Sequence, residues 1–299
     1  MPASRVVVVR SDRAWGPGGE PDRSVLRALV ARGFELLTGR RDPAGAVTAA
    51  FKPEDRVGVK INTIGGRAIS TRPDLALEFA GYLVSGGVRR ENIIIWDRTN
   101  RELRDAGYRL EAGQRELKIF GTDSGGVGYD RELVSHRNVG SMFSSIQKNM
   151  ITASVSLAIL KDHGIAGVTA GMKNYFGAVH NPNKYHDSGC DPYVAEVFDC
   201  PAVRSKHRLT VLDCLLVQFH KGPAYHPRWA QKFGGLVFSL DPVAADRVGW
   251  RIIERLRASA GLPTLAAEKR EPAYLATAEK LGLGLASLDR IELIEESLP

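Results

Sequence analysis

The sequence predicts an α/β protein, a mostly parallel sheet flanked by helices, with an inserted α/β subdomain as the one elaboration it leaves room for. Three observations predict this. Apolar, β-branched runs of strand length alternate with amphipathic stretches of helix length in a βαβαβ order over residues 5–120. The helical stretches carry their own boundary signals, such as Asp241-Pro242 ahead of an apolar repeat. The 299 residues, 43% hydrophobic and 25% charged, suffice for a substantial core and exclude the disordered and fibrous classes.

Arg5 to Val9 is a β-branched run that reads as the first strand. A Gly/Pro-rich loop and an amphipathic helix from about Asp22 to Leu37 follow it. In the next strand, Arg56 to Asn62, alternation turns Val57, Val59 and Ile61 one way and Gly58, Lys60 and Asn62 the other. Pro73 opens a helix that stops at Gly86-Gly87. Asn92 to Trp96 is an apolar strand ending in Asp97-Arg98, a short helix contains Glu102 and Leu103, and Leu117 to Phe120 is another strand. Residues 124–154 read as loop, a strand at Arg131 to Ser135 and a helix near Ser145 to Thr152. Val155 to Leu160 is a buried strand, a helix is expected from about Ala166 to Phe176, and another over Pro192 to Val203. Strands at Leu209 to Gln218, Leu236 to Leu240 and Arg290 to Ile294 complete the set, with a helix from Asp241-Pro242 to Leu256 between the last two. No repeat, low-complexity tract or linker divides the chain, so residues 1–299 read as one α/β unit.

Formal net charge is +7, but no run of five basic residues occurs, so the excess favours small anionic ligands over nucleic acid. The three cysteines, Cys190, Cys200 and Cys214, are widely spaced with no CxxC pair, so no cysteine-ligated iron–sulfur cluster or zinc site is expected. The amino terminus shows no signal-peptide core and no apolar run is long enough to span a membrane. A soluble cytoplasmic protein without a membrane partner is the expectation, unless a leader precedes this start.

The chemistry concentrates in Leu160 to His186, where lysines and histidines sit between recurrent glycines. Lys161 and His163 fall at the carboxyl end of a strand and on one face of it, as do Lys60 and Asn62, and such strand ends line ligand crevices in α/β sheets. A strand lysine among valines is costly to bury without an acidic neighbour or an anionic ligand; the plainer reading is a lysine reaching solvent. Lys173 and Asn174 add a second polar pair within the expected helix. His163, His180 and His186, with Asp97 or Asp187, form the candidate metal cluster, for which a divalent ion is the cofactor the residue types suggest. Their spacing matches no standard helical ligand pair. Without a metal, His163 is a candidate general acid or base, because neighbouring lysines should lower its proton affinity toward working pH. Gly65-Gly66 and Gly125-Gly126 match neither phosphate-loop fingerprint. Thr122-Asp-Ser-Gly-Gly126 only superficially matches a serine-protease nucleophile run, since all seven histidines lie downstream of Ser124.

The segment LKDHGIAGVTAGMKNYFGAVH resembles the family catalogued as domain of unknown function 362. Val59-Lys-Ile-Asn62, Thr71-Arg-Pro73, Asp213 with Gly222-Pro223, and Asp241-Pro-Val-Ala-Ala-Asp246 follow in the family's order. The resemblance covers about residues 50–255. It implies an α/β protein and points to Lys60, Asn62, Lys161, His163, Lys173, Asn174, Asp213 and Asp241. Some members carry ferredoxin-type cluster motifs or an export leader; neither pattern is read in these residues, so neither a redox role of that kind nor an exported location is expected. The leading expectation is an enzyme, of lyase, isomerase or oxidoreductase type, acting on a small carboxylate or phosphate. His163, Lys161 and Lys173 would be catalytic, and Lys60, Asn62, Asn174, Asp97 and Asp213 would bind substrate. The alternatives are a non-catalytic metal or cofactor carrier using His163, His180 and His186, and a polyanion-binding scaffold.

Overall fold

A computed structural model describes residues 3–299 of the chain; Met1 and Pro2, where the amino terminus read as leaderless begins, lie outside the described residues. The chain opens with β1 (Ser4–Ser11), α1 (Arg23–Thr38), α2 (Pro43–Thr48), β2 (Val57–Lys60), α3 (Pro73–Ser85), β3 (Ile93–Asp97), α4 (Asn100–Asp105) and β4 (Lys118–Gly121). A hairpin, β5 (Val134–His136) and β6 (Val139–Ser141), leads to the long strand β7 (Ala153–His163) and to β8 (Gly167–Thr169). Helices α5 (Tyr193–Asp199) and α6 (Pro201–Arg204) precede β9 (His207–Gln218) and β10 (Ala230–Ser239). Then come α7 (Pro242–Ser259), α8 (Tyr274–Lys280) and β11 (Ile291–Leu298).

The main sheet runs β11-β1-β10-β9-β7-β2-β3-β4, with β8 added to the end of β7. Along that path only β10 opposes its neighbours; the other pairings are parallel. The predicted α/β class with a mostly parallel sheet is therefore the observed one. Strand alternation sorts the core into two layers. Val7, Val9, Val57, Val59, Ile93 and Ile95 pack beneath α1, α2 and α3, whereas Val6, Val8, Trp96, Leu160, Leu212 and Val237 pack beneath α5, α7 and α8. No described helix is long and apolar enough to cross a membrane.

The chain steps outward from β2 to β3 to β4 and then returns on the other side of β2 as β7. That reversal splays the connections leaving β2 and β7 apart and opens a crevice at their carboxyl ends. Local signals set the elements that frame it. Asp22 caps α1 through Ser24 and Val25 N–H, Pro73 starts α3, and Asp241 caps α7 through Val243 and Ala244 N–H.

Four expectations are revised by the structure. The helix read over Ala166 to Phe176 is instead a hairpin of β7 with β8, followed by a 3-10 stretch over Lys173–Ala178. The reason is that β7 does not stop at Leu160: it continues to His163, where Lys161 pairs with Thr169. The helix over Pro192 to Val203 is broken between α5 and α6, where Pro201 lacks the N–H a continuous helix needs. The helix near Ser145 to Thr152 is a single π turn, Ile146–Met150, and the strand read at Arg131 to Ser135 begins at Val134.

Candidate functional site

A cavity of about 200 Å3 opens at the switch point between β2 and β7. Its wall contains Lys60, Asn62, Asp97, Lys161, His163, Lys173, Asn174 and His186. Three strand ends and one 3-10 stretch thus bring distant residues together: Lys60 ends β2, Asp97 ends β3, Lys161 and His163 end β7, and Lys173 and Asn174 open Lys173–Ala178.

Lys60, Asp97 and Asn174 are already engaged with one another. The Lys60 ammonium donates to Asp97 Oδ1 at 2.6 Å, to the Ile61 carbonyl at 2.7 Å and to Asn174 Oδ1 at 3.3 Å. Those bonds use all three donors of an ammonium. Asp97 Oδ2 accepts from the Thr63 N–H and hydroxyl, and Oδ1 also accepts from Arg98 N–H. Asn174 Nδ2 donates to the Lys60 carbonyl and Ser156 Oγ. Lys60, Asp97 and Asn174, expected to bind substrate, thus stand in the cavity wall as a buried ion pair with an amide brace. Gly177 completes it, because a Cβ there would sit 2.8 Å from Lys60 Nζ and 3.1 Å from Asp97 Oδ1. Gly177→Ala is therefore expected to cost about 1–3 kcal/mol of stability by pushing the pair apart, measurable by urea unfolding; an unchanged midpoint would contradict this packing.

Lys161 and Lys173 are different, since neither has a carboxylate partner among the described residues. Lys161 is fully buried and donates only to the Ile69 carbonyl, at 3.3 Å. Burial pushes its ammonium down to about 8, with Asp97 opposing the shift. Lys173 lies 3.2 Å from His186 Nε2 and 4.1 Å from the Phe176 ring centroid, and burial pushes it down to about 8 as well. His186 Nδ1 lies 3.1 Å from the Pro182 carbonyl, which assigns the ring hydrogen to Nδ1 and leaves Nε2 to accept from Lys173.

His163 is held by its own turn. Nδ1 accepts from Ile165 and Ala166 N–H at 3.2 and 3.1 Å, so the hydrogen of the neutral ring belongs on Nε2. Burial, then Lys173, His186 and Lys161, push its proton affinity down to about 2. Burial and the neighbouring cations thus shift His163 well below the range expected of a general acid or base, and favour a neutral ring with Nε2–H free to donate. Its ring stacks on His186 at 5.7 Å between centroids. His180 does not join them. It is exposed and lies edge-on to Tyr129, and among the described residues no group of three or more His, Cys, Asp and Glu side chains is placed to hold a metal ion. The expected trio of His163, His180 and His186 is not assembled.

Asn62 lines the cavity with its Oδ1 buried and without a hydrogen-bond partner. Asp213 lies outside the cavity wall. It is fully buried in β9, accepts from Arg72 and Leu215 N–H, and is pushed up to about 6 by burial. It anchors the start of α3 in place of the substrate contact expected of it. Asp241 likewise serves as a helix cap.

The residue that sequence reasoning missed is Asp246. From α7 it accepts from Gly171 N–H at 2.7 Å, Met172 N–H at 3.1 Å and Tyr274 OH at 3.0 Å, fixing the turn that presents Lys173. Its place in the Asp241-Pro-Val-Ala-Ala-Asp246 run was the available signal.

The family model described as a domain of unknown function, DUF362, matches residues 57–251, about two thirds of the chain and all of the strands that form the crevice. The chain belongs to the DUF362 family. No curated protein matches this DUF362 chain. Among solved structures it is similar to a crystal structure of a protein from Thermotoga maritima determined by a structural genomics consortium, at 8% identity and a TM-score of 0.45. The likeness covers 81% of this chain and 60% of that one.

Proposed function

We propose that the crevice is an active site for a small anionic metabolite, a carboxylate or a phosphate, held by Lys161 and Lys173. The observation that supports this is the pair of buried ammonium groups facing one cavity without a carboxylate between them. Burying a charge without a partner costs several kcal/mol, on the order of what an anionic ligand would return. Asn62 Oδ1 would accept a hydrogen bond from the ligand, and the Lys60–Asp97–Asn174 wall would keep the lysines in register.

The same groups suit proton abstraction next to a carboxylate. An amine near pH 8 balances availability of its neutral form against basicity, and an uncharged imidazole N–H can stabilise negative charge as it develops on oxygen. One of Lys161 and Lys173, in its neutral form, would take the proton while the other, protonated, holds the carboxylate, and His163 Nε2–H would donate to the charge that develops on oxygen. This moves the proton-transfer role expected of His163 onto a lysine.

Binding should depend on pH through the amines. Calorimetric titration with sulfate, whose charge is constant, is expected to give an affinity that falls about tenfold or more between pH 7 and pH 9.5 as both lysines lose their protons. Affinity that is absent at pH 7, or equal at the two values, would contradict the reading. Catalysis is tested by incubating carboxylates in deuterium oxide and following the α-proton signals. Exchange with the wild type that disappears in both Lys161→Met and Lys173→Met is expected for an enzyme. Binding without any exchange would leave an anion-binding protein.

A further inference from the structure

Seven large apolar side chains are exposed among the described residues, and three of them lie in the wall of this cavity or within two residues of it along the chain. Ile64 is 60% exposed and lines it directly. Ile165, 46% exposed, lies on the turn whose amides hold His163 Nδ1. Tyr225, 42% exposed, follows two residues after Pro223, itself in the cavity wall. The turn and the loop are tied together, since Gly164 N–H donates to the Gly222 carbonyl at 3.1 Å. Singly scattered apolar side chains need no explanation, but exposed ones in and beside the wall of a charged pocket do. A bare inorganic ion or a short polyanion would leave this rim wet.

We infer that the crevice takes an anion bearing an apolar substituent, with the charged head between Lys161 and Lys173 and an alkyl or aryl body lying across Ile64, Ile165 and Tyr225. The inference rests on the anion-binding reading and narrows its substrate class. Phe176 and Pro182 add apolar surface to the same wall, which would cover the first carbons after the head group. Each methylene removed from water there is worth about a fourfold gain in affinity, until the rim is crossed.

The test is a calorimetric comparison at pH 7 of inorganic phosphate with hexyl phosphate, and of acetate with hexanoate, all below aggregation. Hexyl phosphate is expected to bind about tenfold or more tightly than phosphate, and hexanoate to exceed acetate similarly. That advantage should shrink to about threefold or less in the double variant Ile64→Ser, Tyr225→Ser, whose exposed positions leave the thermal midpoint nearly unchanged. Phosphate and hexyl phosphate binding equally would overturn the inference and leave the anion reading standing. An advantage that survives the double variant would also overturn it, because the chain would then lie elsewhere. Failure of all four compounds to bind would overturn both.

Discussion

Asp97→Ala is expected to cost about 3–5 kcal/mol of unfolding free energy, more than any other single change at the site. The substitution strands the Lys60 ammonium, which is 1% exposed and donates to Asp97 Oδ1 at 2.6 Å. It also removes the acceptor for Thr63 N–H and hydroxyl, so the loop after β2 loses its anchor together with the charge balance. The double variant Lys60→Met, Asp97→Ala removes both charges and should recover a large part of the loss, which urea unfolding of the four proteins would show as a strongly non-additive cycle. Equal and additive effects would mean that the ion pair is not coupled.

Lys161→Met is expected to act in the opposite direction on stability while abolishing anion binding. At neutral pH the native state holds a fully buried ammonium at a pKa of about 8, against 10.5 for the unexceptional amine. In the unfolded chain the amine keeps its ordinary proton affinity, so the charged native form is penalised by about 3 kcal/mol. The penalty is fully present below pH 8. Between about pH 8 and 10.5 the native state gives up its proton before the unfolded state does, so wild-type stability gains on the variant and the difference closes. A variant more stable than wild type at pH 7, with the gap narrowing as pH rises through 9, is the expected record of thermal unfolding. Stability lost on replacing Lys161 would identify it as a structural residue and remove the main support for a ligand site. Stability given up at a functional position is a common trade.

Much of this site was legible because strand ends in an α/β sheet carry positional meaning. Lys60, Asp97, Lys161 and His163 end their strands at the same rim, and alternation alone puts Lys161 and His163 on one face with Asp162 on the other. Asp162 Oδ2 indeed accepts from Gly222 N–H, away from the cavity. What escaped reading was nonlocal. The stretch from Ala166 to Phe176 reads as a helix, yet its Gly171 is needed because a Cβ would meet Thr210 Cγ2 at 2.4 Å, a contact made by a strand distant in sequence. The lysine that is neutralised, Lys60, and the two that are not, Lys161 and Lys173, are the same residue type, and only the position of Asp97 separates them. The character of His163 was hidden for a similar reason: two backbone N–H groups of its own turn, not neighbouring side chains, decide which ring nitrogen carries hydrogen. Asp213 shows the converse error, a buried carboxylate read as a ligand contact whose acceptors are spent on backbone amides.

The central claim is that two buried amines are kept charged for an anion to meet. The most direct measurement is the titration of the Lys161 and Lys173 Nζ resonances by heteronuclear NMR, with selectively labelled lysine, in the presence and absence of saturating phosphate. Both amines are predicted to titrate near 8 in the free protein and to rise by at least one unit when phosphate binds. Titration of both at the ordinary lysine value, unmoved by phosphate, would contradict the claim.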